Sequence, residues 1–514
     1  METDLIMKNA NKILDFYSTY DLYIAGKIKN RNAFELIKEI EQKFPVDSIK
    51  LSDGTKIWNL LRVFFYSNFQ KESETLESGI NRKFLKKLFS ILKESFRPLK
   101  LPERRITFYG FSGTENRRLR DGFFYDIYMD PLYDVLGDNF CVFEWPTAEG
   151  YRRKYDEKVY SKNYVPVHIP TKTLWQLTFH KLLGKTDFSI ENENILVDVI
   201  KFFAKGASVE YSKLKKDAYD FIAVFFYVKK FLSKLLRARH PKAVLMRCGY
   251  GRFHMALSQA CRESEIPSIE LQHGLITKYH IGYVKKEKSK NKDCVPEYLL
   301  AYGKAFSEIV KDGNLFDEKK VIDSGFPYLE EVISSSAILE DTIKKFLTSF
   351  DRFILITSQW ILAKEIKDFV AELAKEIKEK MPNVGLIFKP HPNDRNNYFD
   401  INFKNVFVVN KYGDTYAILK AIDVHSTVYS TTGIETLAFG KPNIFMDIKG
   451  IHKNLENDEL YIVSTPPQFI ETLEYIISNY ESVSRAALKT SEAFFKHNAK
   501  KNFENFLNSI GIHI

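Results

Sequence analysis

Cysteine is scarce in this sequence: Cys141, Cys248, Cys261 and Cys294 are the four in 514 residues, and no two form a Cys-x-x-Cys pair. That excludes the usual zinc and dithiol motifs, and so few thiols suit a reducing compartment. No apolar run approaches the roughly 18 residues that span a bilayer. The longest, Phe221–Val228, stops at Lys229 and Lys230. The first turn-lengths of chain carry Asp4, Lys8, Asn9, Lys12 and Asp15, so the uninterrupted apolar stretch of a signal peptide is missing. Also missing are internal repeats, low-complexity tracts, a Gly-x-Gly-x-x-Gly fingerprint and any Asp-x-Asp.

What is present is the composition of a large folded protein. Hydrophobic residues make up 45% and charged residues 28%, with 42 Phe and 28 Tyr for packed layers. The length predicts two or three domains. The formal net charge of +10 is Lys-rich and dispersed, without the Arg-and-aromatic clusters of a nucleic-acid binder. It suits anionic substrates or an anionic membrane surface.

Residues 1–100 read as a helical, charged extension. Within it, 82–97 places Phe84, Leu85, Leu88, Phe89, Ile91, Leu92 and Phe96 on one helical face, with basic residues elsewhere. This is either a core-packed helix with a solvated face or a peripheral contact with the inner membrane. From residue 101 short apolar runs alternate with helical stretches. Strands are expected at 106–109, 140–143, 243–246, 268–271, 298–301 and 321–324, with one long helical block over 191–239. A second series has strands at 353–357, 384–388, 406–408, 424–426 and 443–446, with helices at 363–380, 433–439, 467–479 and 481–506. Alternation of this kind marks parallel βαβ units. The expected division is 1–100, 101–333, 334–490 and a final helix 491–514. Two doubly wound domains would face a cleft at the carboxyl ends of their strands, where ligands of such sheets bind. The run 285–292 (KKEKSKNK) reads as a mobile charged loop.

Five strand-end motifs carry the chemistry. Tyr429–Pro442 (YSTTGIETLAFGKP) follows a strand and opens a helix. Ser430, Thr431, Thr432 and Gly433 would offer hydroxyls and backbone N–H groups to an anion, and Glu435 could accept from ribose hydroxyls. The same residues also fit an ordinary capped helix: Thr431 or Thr432 as N-cap, Glu435 as box partner and Gly440 at C′. In Lys389-Pro-His-Pro392 the prolines hold His391 beside Lys389, either as a phosphate contact or as a rigid turn. Gln272-His273-Gly274 ends a strand with a sharp turn, so His273 is a candidate general base or a buried turn residue. Gly325-Phe-Pro327 and Thr357-Ser-Gln359 follow strands of their own. Arg247-Cys-Gly-Tyr-Gly-Arg252 reads as a binding loop. Arg117, Arg118, Arg120, Asp121, Asp126 and Asp130 read mostly as a solvated helix face, and Glu144 ends a strand.

The serial order of these motifs resembles GT-B glycosyltransferases of bacterial capsule and surface-polysaccharide assembly. Glu435, Gly440 and Pro442 match the Glu, Gly and Pro spacing of their nucleotide-binding helix. UDP-N-acetylglucosamine 2-epimerases are similar there. Lys389-x-His391-Pro392 resembles bacterial sialyltransferases, capsule Kdo transferases and CDP-glycerol glycerophosphotransferases. The Gln-His-Gly resembles the Gln-x-x-His-Gly of the last group, without its two-residue insertion.

The resemblance implies an α/β fold of two Rossmann-like domains and a glycosyltransferase using a nucleotide-sugar donor. The acceptor would be a surface polysaccharide or lipid-linked glycan. His273 and His391 would be catalytic. Gln359, Lys389, Ser430, Thr431, Thr432, Gly433 and Glu435 would hold the donor, and Arg247, Arg252 and Gln272 the acceptor. Without an Asp-x-Asp, the chemistry is expected to need no metal or other cofactor, and no nucleic-acid partner is expected. The protein would be cytoplasmic, with a peripheral membrane contact. A CDP-alditol or sugar-phosphate transferase, a 2-epimerase-like enzyme and a non-enzymatic assembly protein remain alternatives.

Overall fold

A computed structural model describes residues 2–24, 32–73, 106–113, 116–120, 123–145, 164–166, 187–336, 338–391, 401, 403–410, 413–451 and 460–514. The expected helix at 82–97 lies outside them. The chain forms two compact units. The first comprises Asp21–Ala301, Ser307–Ser324 and Lys500–Ile514; the second comprises Met1–Tyr20, Tyr302–Phe306 and Gly325–Ala499.

The first unit is built on a seven-stranded parallel sheet. Its strands are β1 (Phe108–Gly113), β2 (Phe140–Trp145), β3 (Tyr164–Pro166), β4 (Ala243–Met246), β5 (Ser268–Leu271), β6 (Tyr298–Ala301) and β7 (Val321–Asp323). Their spatial order is β7-β6-β5-β4-β1-β2-β3. The order reverses between β1 and β4, the doubly wound switch point. Fully buried strands such as Ala243–Met246 have no polar alternation because helices cover both faces. Phe503, Phe506 and Leu507 of the helix Ala499–Ser509 complete this core beside Phe108, Phe140 and Leu245.

The second unit repeats the plan with six parallel strands: β8 (Arg352–Thr357), β9 (Val384–Lys389), β10 (Val406–Val408), β11 (Val424–Thr427), β12 (Asn443–Met446) and β13 (Ile462–Val463). The order is β10-β9-β8-β11-β12-β13, so the switch lies between β8 and β11. The helix Ala363–Lys380 buries Ile366, Phe369, Val370, Leu373, Ala374 and Ile377 along one face, the three-and-four spacing of an amphipathic helix. Asp414 caps the next helix by accepting from the Tyr416 and Ala417 amides.

Several expectations change in detail. The block 191–239 is two helices, Glu193–Ala207 and Tyr211–Arg239, divided where Ser208 turns left-handed at φ 57°. The block 481–506 is likewise divided between Tyr480–Phe494 and Ala499–Ser509, with Asn498 at φ 64°. The amino-terminal helix Glu2–Ile24 does not stand as part of a separate extension. Its residues up to Tyr20 belong to the second unit, where Phe16 packs on Phe445 at 4.9 Å and Tyr20 stacks on Tyr429. The charge run 285–292 is fastened: Lys285 and Asn291 are buried, and Ser289, Asn291 and Lys285 all bond to Asp47. Two opposite charges meeting at one site turned an apparently solvated run into a folded corner.

Candidate functional site

At the switch point of the second unit, the carboxyl ends of β8, β9 and β11 bring the predicted donor motifs together. Thr357 ends β8 in register with Lys389 at the end of β9. The next residue, Ser358, donates its amide to the Lys389 carbonyl at 3.0 Å. Gln359 is buried, and its Nε2 donates to Thr427 Oγ1 at 2.8 Å. Thr427 in turn donates to the Thr357 carbonyl. That fixes which end of the Gln359 amide faces Thr427. Its Oε1 and the Ser358 hydroxyl are left buried with no partner among the described residues. Orphaned polar atoms cost their full desolvation penalty unless water or a ligand meets them. Lys389 is also buried here, and His391 is half-buried.

The Ser430 loop differs from its sequence reading. The helical turn is only Thr432–Glu435, followed by a 3-10 turn Thr436–Phe439, so the macrodipole behind it is short. Thr431 makes no side-chain cap. The Gly433 amide is not available to an anion either, because it donates to the Ser430 carbonyl at 3.0 Å. Instead the loop offers hydroxyls: Thr432 Oγ1 bonds Ser430 Oγ at 2.9 Å and lies 3.0 Å from Thr357 Oγ1. Glu435 is buried and accepts from the Tyr416 hydroxyl at 2.9 Å. Gly440 does take the expected left-handed turn, at φ 66°. The Tyr17 hydroxyl donates to the Ser430 carbonyl at 2.6 Å, and a Cβ on Gly433 would lie 2.7 Å from that hydroxyl. Glycine is therefore required at 433 by close approach rather than by its backbone angles.

In the first unit the carboxyl ends of β4 and β5 hold a titratable cluster around half-buried His273, with Glu270 and Tyr283 buried behind it. The Tyr250 hydroxyl is 3.0 Å from His273 Nε2, and the Tyr283 hydroxyl is 3.5 Å from Nδ1. Tyr283 donates to Glu270 Oε1 at 2.7 Å, and Tyr128 donates to the His273 carbonyl at 2.8 Å. Burial, then the positive charge of Arg247, holds His273 well below the ordinary imidazole range, so the ring is neutral at pH 7. Burial pushes the Glu270 carboxyl up to about 7, against the opposing Gly249 amide, Tyr283 hydroxyl and Arg247. Gly249 is there because a Cβ would run into Glu270. Such a cluster can take a proton from a hydroxyl and share it along phenols.

No protein-family model matches the sequence, and the curated proteins contain no match to it. Among solved structures, the fold is similar to UDP-GlcNAc 2-epimerase from Neisseria meningitidis bound to UDP-GlcNAc, at 16% identity over 78% of this chain and 99% of that one, TM-score 0.48. It is similar to a putative UDP-N-acetylglucosamine 2-epimerase from Listeria monocytogenes, at 13% identity over 79% and 96%, TM-score 0.48. It is also similar to the wall teichoic acid polymerase TagF, at 13% identity over 84% and 97%, TM-score 0.47. At these identities the likeness is one of fold alone. Two Rossmann-like parallel-sheet units with an amino-terminal helix are what the GT-B resemblance implies.

The predicted acceptor residues are spread more widely. Gln272 is buried and spends its Nε2 on the Gly274 carbonyl at 2.8 Å, so it builds the turn that carries His273. Arg247 acts on His273 through its charge. Arg252 begins the helix Arg252–Glu263, with its guanidinium over the Phe221 ring at 4.9 Å. Among the described residues of 117–130 the expected solvated helix face is absent, and Asp121 lies outside them. Arg117–Arg120 pairs antiparallel with Phe123–Asp126, and Arg117, Asp126 and Asp130 are buried. Arg117 grips Glu144 with two hydrogen bonds, one of 2.5 Å. Sequence reasoning passed over Tyr250, Glu270, Tyr283, His425 and Tyr17. For Glu270 and His425 the signal was available: each is a polar residue inside an otherwise strand-like run.

Proposed function

We propose that the protein is a metal-independent glycosyltransferase of surface-polysaccharide assembly that takes a nucleotide-sugar donor on the second unit and a glycan acceptor on the first. The observation that carries this reading is the pair of buried, unsatisfied polar atoms, Ser358 Oγ and Gln359 Oε1, at the switch point of the second sheet. A doubly wound sheet binds its ligand at that point. Gln359 is given to the nucleoside; Lys389, His391 and the Ser430–Thr432 hydroxyls are given to the phosphates, where fixed donors stabilise leaving-group charge. On the first unit, neutral His273 takes the acceptor hydroxyl's proton, with Tyr250, Tyr283 and Glu270 setting its orientation. Independence from metal rests on the missing Asp-x-Asp. No helix among the described residues is long and apolar enough to cross a membrane. Contact with a lipid-linked acceptor is proposed as a peripheral encounter at the cytoplasmic face, in keeping with the basic balance of the sequence.

A thermal-shift screen against UDP, CDP, CMP, GDP and their sugars, with and without EDTA, tests the reading. A nucleotide at 100 times its Kd should stabilise by about 2.7 kcal/mol. An EDTA-insensitive shift supports it; no shift at millimolar nucleotide rejects it. The buried acid-base cluster around Glu270 gives specific weight to one alternative, proton abstraction from the sugar itself, as a 2-epimerase would do. Incubation with the sugar nucleotide that binds separates the two: a transferase releases nucleotide to an acceptor, and an epimerase exchanges sugar protons with solvent without it.

A further inference from the structure

Beneath the Ser430 loop runs a chain of five polar side chains: Asn443, His425, Thr357, Thr432 and Ser430. Asn443 Oδ1 lies 2.6 Å from His425 Nδ1, His425 Nε2 lies 3.0 Å from Thr357 Oγ1, and Thr357 Oγ1 lies 3.0 Å from Thr432 Oγ1. The fourth link, Thr432 to Ser430, is 2.9 Å. His425, Thr357 and Asn443 are buried, His425 completely.

Counting protons leaves two orders for these links, one donating inward towards Asn443 and one donating outward towards Ser430. Each link needs one hydrogen, and the neutral imidazole and three hydroxyls supply one each. With the Asn443 oxygen on Nδ1, the imidazole proton is spent there, so Thr357 must donate to Nε2 and Thr432 to Thr357. Ser430 must then give its own hydrogen to Thr432, the reverse of the direction in which that link is placed. The same placement leaves the Asn443 amide nitrogen buried with no acceptor among the described residues. Turning the amide end for end restores the outward direction and gives its nitrogen an acceptor in Nδ1, with the oxygen moving to the other buried position; the oxygen and nitrogen of an amide are distinguished by their hydrogen bonds rather than their shape.

We propose that the Asn443 nitrogen faces His425, so that the whole chain donates outward and Ser430 keeps its O–H for an anionic oxygen of the bound ligand. Asn443 donates to Nδ1, His425 carries its proton on Nε2 and gives it to Thr357, Thr357 gives to Thr432, and Thr432 gives to Ser430. Asn443, His425 and Thr357 are positioning residues: they touch no ligand but decide whether the loop presents a hydrogen or a lone pair. An outward hydrogen selects phosphate or diphosphate oxygens. The opposite order would present only an acceptor, suited to a sugar hydroxyl. The inference rests on the donor-site reading above, which gives the Ser430 hydroxyl to the phosphates, and deepens it by assigning the hydrogen-bond order that keeps that hydroxyl a donor.

Two measurements test it. In 15N-histidine-labelled protein, the ring nitrogens of His425 (assigned through loss of the signal in His425→Gln) should show the proton on Nε2; a proton on Nδ1 overturns the proposal. With inorganic diphosphate as the probe, Thr357→Val should weaken binding about tenfold, and Thr357→Ser should restore it. Equal binding by all three proteins overturns the proposal. A folded parent that carries the proton on Nε2 yet binds neither diphosphate nor any nucleotide leaves the bond order standing and sinks the donor-site reading instead.

Discussion

The two units share a strand plan and differ in what they hang on it. Both sheets reverse their order after the first strand, and both concentrate polar side chains at the carboxyl ends beside that reversal. In the second unit those side chains are mostly hydroxyls and amides, with one neutral imidazole locked beneath them. In the first they are phenols, imidazoles and a carboxyl pushed up to about 7. A site of hydroxyls can hold an anion without changing charge; a site of displaced acids and bases can move a proton. The scaffold decides where chemistry happens, and a handful of loop residues decides which chemistry.

The sharpest way to break this comparison is to remove the proposed proton acceptor. His273→Ala should lower turnover by about 10²- to 10⁴-fold with donor affinity unchanged, measured as a kcat against KM split once the donor is known. A change confined to KM would put His273 in binding instead.

The next effect is on acid stability. Burial holds His254 at about 3 and His280 at about 4 in the first unit, and His425 at about 4 in the second. Each is neutral when folded and protonates readily once unfolded. The unfolded chain therefore binds more protons below about pH 6.5, and stability falls as pH drops towards 4. Each group contributes on the order of 3 kcal/mol over that window. Glu270 works the other way: its raised pKa costs stability as pH rises from about 4.5 to about 7. Urea unfolding at stepped pH should show a shallower acid slope for His280→Phe, and Glu270→Gln should remove the opposing trend. Parallel slopes for both variants and the parent would mean these groups are solvated.

A smaller effect separates close approach from backbone freedom. Gly433→Ala should cost roughly 1–3 kcal/mol, because the new methyl meets the Tyr17 hydroxyl and Thr427. Pairing it with Tyr17→Phe should recover little, since Thr427 Cγ2 stays 3.0 Å away. Smallest of all, Tyr17→Phe alone should cost about 1 kcal/mol by thermal unfolding, the worth of one hydrogen bond to a backbone carbonyl.

Much of this was legible in the sequence, for a physical reason. Parallel strands covered on both faces read as apolar runs, so β4, β5, β6 and β12 stand where the runs stand. The edge strands β3 and β13 were missed, β3 because it ends in Pro166 and β13 because it has only two residues, although the three-residue edge strands β7 and β10 were found. The positions of the strand-end motifs were legible because Gly, Pro and hydroxyl residues cluster where strands end. The hydrogen-bond economy of those motifs was not. That Gly433 spends its amide on Ser430, or that Gln272 spends its side chain on its own turn, depends on local geometry that spacing does not encode. The Arg117 stretch was misread because alternating charges suit a solvated helix as well as a hairpin whose arginine is buried against Glu144. Tyr17 left no local trace at all, since its partner is 413 residues away.

That separation has a temporal side. At about 5–20 residues per second, a ribosome needs roughly 20–80 s to travel from Tyr17 to Ser430. Until it does, Phe16, Tyr17 and Tyr20 have no second unit to settle against. The first unit waits as well, for Phe503, Phe506 and Leu507. Neither unit can close early in synthesis, so the nascent chain carries exposed aromatic surface for most of its passage and invites chaperone capture before the sites described above exist.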